Sequence, residues 1–552
     1  MPARHADRDL METKMSEDVE TDVIVVGSGA AALVAALRSA VCGASVLVIE
    51  KTGKIGGTSA MSGGMTWIPA NRLMLEAGYT DSEAEALTYI QATAPKGWSA
   101  TEDTLWEAQV LNGPRMLDFI LEKSAVRFVI ADVPDPHMEL PGAKEKGRLL
   151  APDVANGRRL GRYFKLIRNS TIPQDLTYDE SVKAEMFRHP FRAYLRHAGT
   201  IAGRWLSKTR GKGNALIMGL LSGCLAAGCR LKLNARAVEL TTDEMGSVTG
   251  VIVETAGRRE RFRARKGVIL ATGGFEWDSE LLHTNFPGNA EFLSSPSTNT
   301  GDGLKMAVKI GAATAHMNQA NIMLQPPVYY EKSLHGLPLR IHAEPDAIFV
   351  DADGRRFASE YEFNVADWTV RDTDQGRWLK RPAWVVSHWP MVQRAWLIRW
   401  YKRYKPGWLV TAGSLDELAV KTGLPAEPLK ETVARFNRFA VIGVDADFHR
   451  GAASDYEARL AASVGLMSPI NQPPFVAYEF RPSILGTKGG IRTNEKGQAL
   501  RSDGTAISGL YCAGNVMANP IGMRTPSQVG TTLGQYMTWG YICANALLNA
   551  NR

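Results

Sequence analysis

Residues 22–51 read DVIVVGSGAAALVAALRSAVCGASVLVIEK. Asp22 to Val26 is a short β-branched run, the pattern of a strand buried in a parallel sheet. It breaks into Gly27-Ser28-Gly29-Ala30-Ala31-Ala32 and an Ala/Leu-rich helical stretch, and a second apolar run, Ala44 to Ile49, ends in Glu50. Strand, glycine turn, helix, strand and acid in this order form a dinucleotide-binding unit. Gly27 permits the tight turn, and Gly29 lets backbone N–H groups approach a pyrophosphate. Ala31 belongs to the same turn, and Ala32 allows the helix to pack closely on the strand. The helix N-terminus offers partial positive charge to the phosphates. Glu50, 21 residues beyond Gly29, is placed to accept from ribose hydroxyls.

The residues that follow select the nucleotide. Lys51 leads into Thr-Gly-Lys-Ile-Gly56-Gly57-Thr58-Ser59 and then Met61-Ser62-Gly63-Gly64. A Gly/Ser loop directly behind the ribose acid suits an extended flavin, so the predicted cofactor is FAD. Two later segments agree. Lys266 to Phe275 is a strand that ends in Ala271-Thr272-Gly273-Gly274, and Ile507 to Asn515 is another that ends in Ala513-Gly514-Asn515. Both read as sheet strands closing on the nucleotide, so the FAD domain is assembled from both ends of the chain. No second GxGxxG follows a strand, and Gly211-Lys212-Gly213 reads as a helix start. Without a nicotinamide domain, electrons are expected to leave to an external acceptor, a quinone or a carrier protein.

The chain has 552 residues, 45% hydrophobic and 22% charged, which excludes a disordered or fibrous protein. Five cysteines without a CxxC exclude a disulfide framework and a zinc ribbon, fit a reducing compartment, and leave no metal site to predict. The first 19 or so residues are polar and read as a loose tail without a secretory signal. No stretch is long and apolar enough for a transmembrane helix. A cytoplasmic protein is expected.

Net charge is +7, and the excess is uneven. Within 183–212, Arg188, Arg192, Arg196, Arg204, Lys208 and Lys212 fall on intervals of four and predict a slowly winding basic stripe on a helix, with Phe187, Phe191, Tyr194 and Trp205 among them. Within 384–408 there are five Trp, five Lys/Arg and no acid. Trp and Tyr beside cations suit a membrane–water interface, so a peripheral contact with the inner face of the cell membrane is one reading and a core helix with a solvated basic side is the other. No nucleic-acid motif accompanies the charge, and nucleic acid is not expected as a partner.

Beyond these features the chain resembles the FAD-dependent 3-ketosteroid dehydrogenases of the fumarate reductase flavoprotein family. The resemblance rests on GSGAAALVAAL (27–37), EKTGKIGGTSAMSGGMTWIPAN (50–71), GKGNALIMGLLSGCLAAG (211–228), GVILATGGFEWD, NTGDGLKMA (299–307), DADGRRFASE (351–360), GLYCAGNVMANPIG and VGTTLGQYMTWGYICANAL. It covers nearly the whole chain from about residue 20. It implies an α/β fold, a Rossmann-like FAD domain built from two segments (20–281, with a basic helical insert at about 181–212, and 479–552) around an inserted α+β catalytic domain (282–478). It adds Asp302, Thr532 and Leu533 to the FAD-binding residues. It also implies desaturation of a carbon–carbon bond beside the ketone of a 3-ketosteroid-like substrate, at C1–C2 or C4–C5, with hydride passing to flavin N5 and a proton to a protein base.

Set beside that family's pattern, the chain loses the reactive phenols. Gly530 occupies the backbone-donor position for the carbonyl oxygen, but Pro526 stands where a carbonyl-binding Tyr is expected. The position of the base falls near Asn364, with Tyr361 in the same loop. The segment that carries a third Tyr reads Pro134-Asp135-Pro136-His137. Candidates for relocated roles are Tyr361, His137, Tyr536, Tyr329, Tyr330 and Tyr478, each of which also reads as a packing or surface residue. Arg524 and Arg481 are candidates for a substrate carboxylate or for salt bridges. Asn364 where a fumarate reductase pattern wants Arg disfavours small dicarboxylates. Besides dehydrogenation, the reverse enone reduction and a flavin-binding homologue without this activity stay open.

Overall fold

The computed structural model describes residues 19–186, 189–286, 292–337, 342–361, 383–451, 465–521 and 531–549. The β-branched run forms the end of strand Val19–Val26, which pairs in parallel with Val46–Ile49 on one side and Arg258–Leu270 on the other. Ala506–Cys512 extends this parallel sheet beyond Arg258–Leu270, and Arg230–Lys232 extends it beyond Val46–Ile49. The sheet thus draws strands from both ends of the chain, as expected of a two-segment α/β unit. Antiparallel strands Val248–Thr255 and Arg236–Thr242 hang from the first half of Arg258–Leu270.

Helix Ala30–Val41 is apolar on every side over its first eight residues because it is covered on every side there. Ala30 to Leu37 are at most 6% exposed, packed between the sheet, helix Lys212–Ala226 and helix Thr531–Asn549. The contact with the last helix is backbone to backbone: a Cβ built on Gly540 falls 2.3 Å from the Ala31 carbonyl oxygen. Ala32, wholly buried, serves this packing and does not face the cleft described below.

A second sheet runs in the order Pro327–Tyr330, Ser333–Gly336, Phe292–Leu293, Phe475–Thr487, Ala383–His388, Ile348–Val350, with Ala320–Gln325 and Leu409–Ala412 also paired to Phe475–Thr487. The boundary expected at 478/479 cuts through that long strand, whose pairing with Ala320–Gln325 continues to Thr487. The longer extent has a physical reason, because splitting a continuous ladder would strand its hydrogen-bonding groups. A small three-stranded sheet, Thr66–Trp67, Leu149–Pro152 and Phe128–Ile130, completes the region behind the first nucleotide loop.

The basic stripe expected over 183–212 does not form. Helix Pro190–Arg196 breaks at His197, Ala198–Ser207 follows, and Lys208 ends it in a left-handed conformation. Arg204 pairs with Glu180 at 2.6 and 2.8 Å, and Lys212 is fully buried at the start of helix Lys212–Ala226. Arg188 lies outside the described residues. The 384–408 cluster is largely core: Leu397, Ile398, Tyr401 and Trp408 are buried, with Tyr401 and Trp408 edge to face at 4.6 Å, while Trp400 and Tyr404 stack in the open. No helix of the described residues is long and apolar enough to cross a membrane.

Two consequences are testable. Gly540→Ala forces the last helix off Ala31, and is expected to lower unfolding stability by ~1–3 kcal/mol in denaturant titration. Burial pulls the Lys212 ammonium down to about 7, against a smaller opposing pull from Asp175 and Glu180, while Nζ donates to the Pro173 carbonyl at 2.7 Å. The folded state therefore holds this proton more weakly than the unfolded chain. The resulting penalty is complete below about pH 7 and fades as pH rises towards the ordinary lysine value. Lys212→Met should raise the melting temperature most at pH 6, with the gain shrinking at pH 9.

Candidate functional site

The parallel strands end at one level: Val26 is in register with Ile49 and with Leu270, and Leu270 with Cys512. The turns leaving these ends surround an open-mouthed cleft. Gly27, Gly29, Ala31, Glu50, Lys51, Gly57, Thr58, Ser59, Ser62, Ala271, Thr272, Gly273, Asp302, Gly514, Asn515, Thr532 and Leu533 all line it, as does Tyr536. Residues from opposite ends of the chain meet here because their strands are neighbours.

Gly27 has φ +112°, and a Cβ on it would sit 2.2 Å from the Ala271 carbonyl oxygen, so only glycine fits. Gly29 caps helix Ala30–Val41, whose first turn carries no acid; the Ala30 N–H donates to Ser59 Oγ at 3.2 Å, and the dipole and the N–H groups that follow are left to an incoming anion. The Glu50 carboxylate is held by Ser28 Oγ at 2.6 Å on one oxygen and by the Thr52 N–H at 2.9 Å on the other. Thr52 Oγ1 adds a second bond to that oxygen at 3.0 Å, so the accepting capacity that remains is on the oxygen held by Ser28. Thr272 Oγ1 and Asn515 Oδ1, both buried at the cleft wall, make no hydrogen bond to the described residues. A glycine cradle, an unopposed helix terminus, an oriented acid and idle polar atoms fit a dinucleotide.

Lys51 and Asp302 face the cleft as one ion pair at 3.1 Å, and Arg236 joins Asp302 at 2.8 Å. Burial pushes the Asp302 carboxyl up, but Arg236 and Lys51 together outweigh it and hold the group at about 2. Their shared role is to brace the mouth. Gly63 and Gly64, expected at the cofactor, do not line the cleft. Gly64, at φ +80°, is a packing position, since a Cβ there would fall 2.7 Å from the Lys212 backbone, and Gly63 lies over the Tyr178 ring.

Several lining residues escaped the motif reading. Asn299, inside the quoted NTGDG segment, donates to Thr58 Oγ1 at 3.1 Å and to Glu276 at 2.8 Å. Asn321 and Gly486 come from the second sheet. Arg168 reaches the cleft from a stretch without any motif, 3% exposed, paired with Glu331 at 2.6 Å, and no sequence signal marks it.

The candidates for proton handling separate clearly. Tyr536 lines the cleft, and burial raises its phenol above the ordinary value, partly offset by Asn519. Tyr361 is fully buried instead, its ring under the Arg450 guanidinium at 4.1 Å and its hydroxyl 3.5 Å from the Gly465 carbonyl. Tyr478 is buried against Trp408, Tyr330 donates to the Asn169 carbonyl, and Tyr329 is on the surface. His137 pairs with Glu139 at 3.1 Å, and Arg481 with Glu479 at 2.7 Å. Gly530, Asn364, Pro526 and Arg524 lie outside the described residues.

The FAD binding domain family matches residues 22–527. The chain is 36% identical to the 3-oxosteroid 1-dehydrogenase of Mycobacterium tuberculosis over 95% of its own length and 98% of that protein. It is 35% identical to the 4-oxocyclohexanecarboxylate 2-dehydrogenase of Sinomonas cyclohexanicum, over 95% of this chain and 92% of that one. The chain belongs to the FAD-dependent 3-ketosteroid dehydrogenase family. The 3-ketosteroid Δ1-dehydrogenase of Sterolibacterium denitrificans, solved with 1,4-androstadiene-3,17-dione, superposes with a TM-score of 0.86 at 30% identity, over 96% of this chain and all of that one. As a member of this family, the protein is an FAD-dependent oxidoreductase acting on CH–CH groups, and the lining of the cleft fits a dinucleotide.

Glu50→Gln keeps the shape of the acid but removes its charge. Hydrogen bonds to a charged group contribute ~1.5–3 kcal/mol, so reconstitution of the apoprotein is expected to show FAD affinity about 10–10²-fold weaker.

Proposed function

We propose that the protein introduces a carbon–carbon double bond beside the ketone of a 3-ketosteroid-like substrate, at C1–C2 or C4–C5. The observation that carries this reading is the end-to-end similarity to two dehydrogenases whose names describe one transformation on a six-membered cyclic ketone. In both, the new double bond is conjugated with the carbonyl. The substrate ring would enter between the parallel sheet and the inserted second sheet, over the cleft.

Bound FAD supplies the hydride acceptor. The chain must weaken the C–H bond next to the carbonyl, which it does by donating to the carbonyl oxygen as enolate character develops. Tyr536 is the phenol in place for this. Because burial raises its pKa, it stays protonated at neutral pH and acts as a donor, while the hydrogen lost as a proton passes to a separate protein base. Electrons leave to a quinone or a carrier protein. A quinone is met at a membrane, and this reading places the protein peripherally on one.

The test is anaerobic mixing of the oxidised protein with 4-ene and 5α-saturated 3-ketosteroids and with 4-oxocyclohexanecarboxylate. Bleaching of the oxidised-flavin band by a 3-ketosteroid is expected, and the responding member names the bond. Bleaching by the monocyclic acid alone, or reoxidation of reduced protein by a dienone with no forward bleaching, overturns the reading. Tyr536→Phe should retain FAD and lose turnover about 10²-fold. Unchanged turnover removes Tyr536 from the reaction.

A further inference from the structure

The helix pair Pro190–Arg196 and Ala198–Ser207 is turned inside out. Inward it contributes Ala193 and Ile201 to a small cluster with Leu176, Ala184 and Met186. Outward it presents Phe191 at 58%, Leu195 at 63%, Trp205 at 61% and Leu206 at 81% exposure. Four large apolar side chains on one short segment exceed what solvent contact alone explains.

The platform under them is rigid. Arg204 is gripped by Glu180, itself part of a capping box with Thr177, and the Trp205 indole N–H donates to Asp175 at 2.8 Å, which holds the ring outward. Cations stand around the patch. Arg192, Arg196 and Lys208 are exposed, and Arg158 donates to the Leu206 carbonyl at 3.3 Å. From Met186 to Lys208 the sequence contains no acid.

We propose that this helix pair is the membrane-binding surface, and that it recognises a bilayer carrying anionic phospholipid. This rests on, and makes specific, the peripheral position read above. Phe191, Leu195, Trp205 and Leu206 enter the interface, and the flanking cations meet lipid phosphates. The charge selects this occupant. A patch in which cations alternate with aromatic and aliphatic chains complements a phosphate layer over hydrocarbon, whereas two copies of it would set like charges against each other. The stacked Trp400 and Tyr404 belong to a helix whose other side is core, and are not needed for the contact.

Flotation of the full-length, FAD-loaded protein with phosphatidylcholine vesicles, with and without phosphatidylglycerol, tests the assignment. Binding is expected only with phosphatidylglycerol, should fall as salt rises, and should weaken at least about tenfold in the double variant Leu195→Glu/Leu206→Glu. Flavin content and dye-coupled turnover of that variant should match the parent, since neither residue touches the cleft. Vesicle binding that the double variant retains places the contact elsewhere and overturns the surface while leaving the peripheral reading standing. No binding to either vesicle at low salt sinks both. A parent oligomer that the variant dissociates, without vesicle binding, makes the face a contact between copies instead.

Discussion

The close approach of Gly27 to the carbonyl of Ala271 sets the geometry of everything around the cofactor. A side chain at Gly27 would lie 2.2 Å from that oxygen. Because it has none, the strands Val19–Val26 and Arg258–Leu270, in unbroken register from Val23 and Gly267 onward, keep it to their last residues and release their turns at the same height. The neighbouring ends at Ile49 and Cys512 follow through their own pairing. The pyrophosphate turn, the ribose acid and the two late glycine turns are thereby gathered at the carboxyl edge of one parallel sheet, where open α/β sheets hold their ligands.

The second sheet is fastened to that edge by buried polar groups rather than by apolar area alone. Glu276, fully buried, accepts from Ser295 Oγ at 2.6 Å, from Asn299 at 2.8 Å and from Thr487 Oγ1 at 3.3 Å. It thus joins the turn after Leu270 to the loop behind Phe292–Leu293 and to the end of strand Phe475–Thr487. Arg168 and Glu331 form a further tie, and the Tyr330 hydroxyl donates to the Asn169 carbonyl beside it. Such groups are costly to bury unless matched, so the matching fixes one orientation of insert to cleft. That orientation explains why Asn321 and Gly486, far from any nucleotide motif, reach the cleft wall.

What could be read from sequence follows from how local each constraint is. The turn at Gly27, the acid at Glu50 and the glycine pairs after Leu270 and Cys512 are each set by a few adjacent residues, and they carry their signature in the chain. Arg168 is placed by a partner 163 residues away, and nothing beside it in sequence announces that role. The basic intervals of four over 183–212 misled for the opposite reason. Periodicity predicts one helix, but Lys208 turns left-handed and Lys212 is drawn inside by the packing of Lys212–Ala226. Gly64 looked like a cofactor glycine and is one required by that same helix.

The resemblance expects phenols where the sequence carries other residues, and the loop around His137 shows how such a position can vary within an intact fold. The loop around His137 is anchored by its neighbours. Asp135 takes Arg148 at 2.9 Å and the Trp67 indole at 2.8 Å, the Pro136 carbonyl takes the Tyr89 hydroxyl, and the buried guanidinium lies against both rings. His137 itself, at φ +59°, projects past this anchor to pair with Glu139. In the same way Glu360 clamps Arg356 and Arg450, and Arg450 covers Tyr361. Around His137 the residues that hold the backbone are distinct from the side chain at the tip, which can therefore change without moving its support. Helix Thr531–Asn549 faces the cleft through Thr532 and Leu533 and brings Tyr536, the phenol proposed as donor, in one turn later.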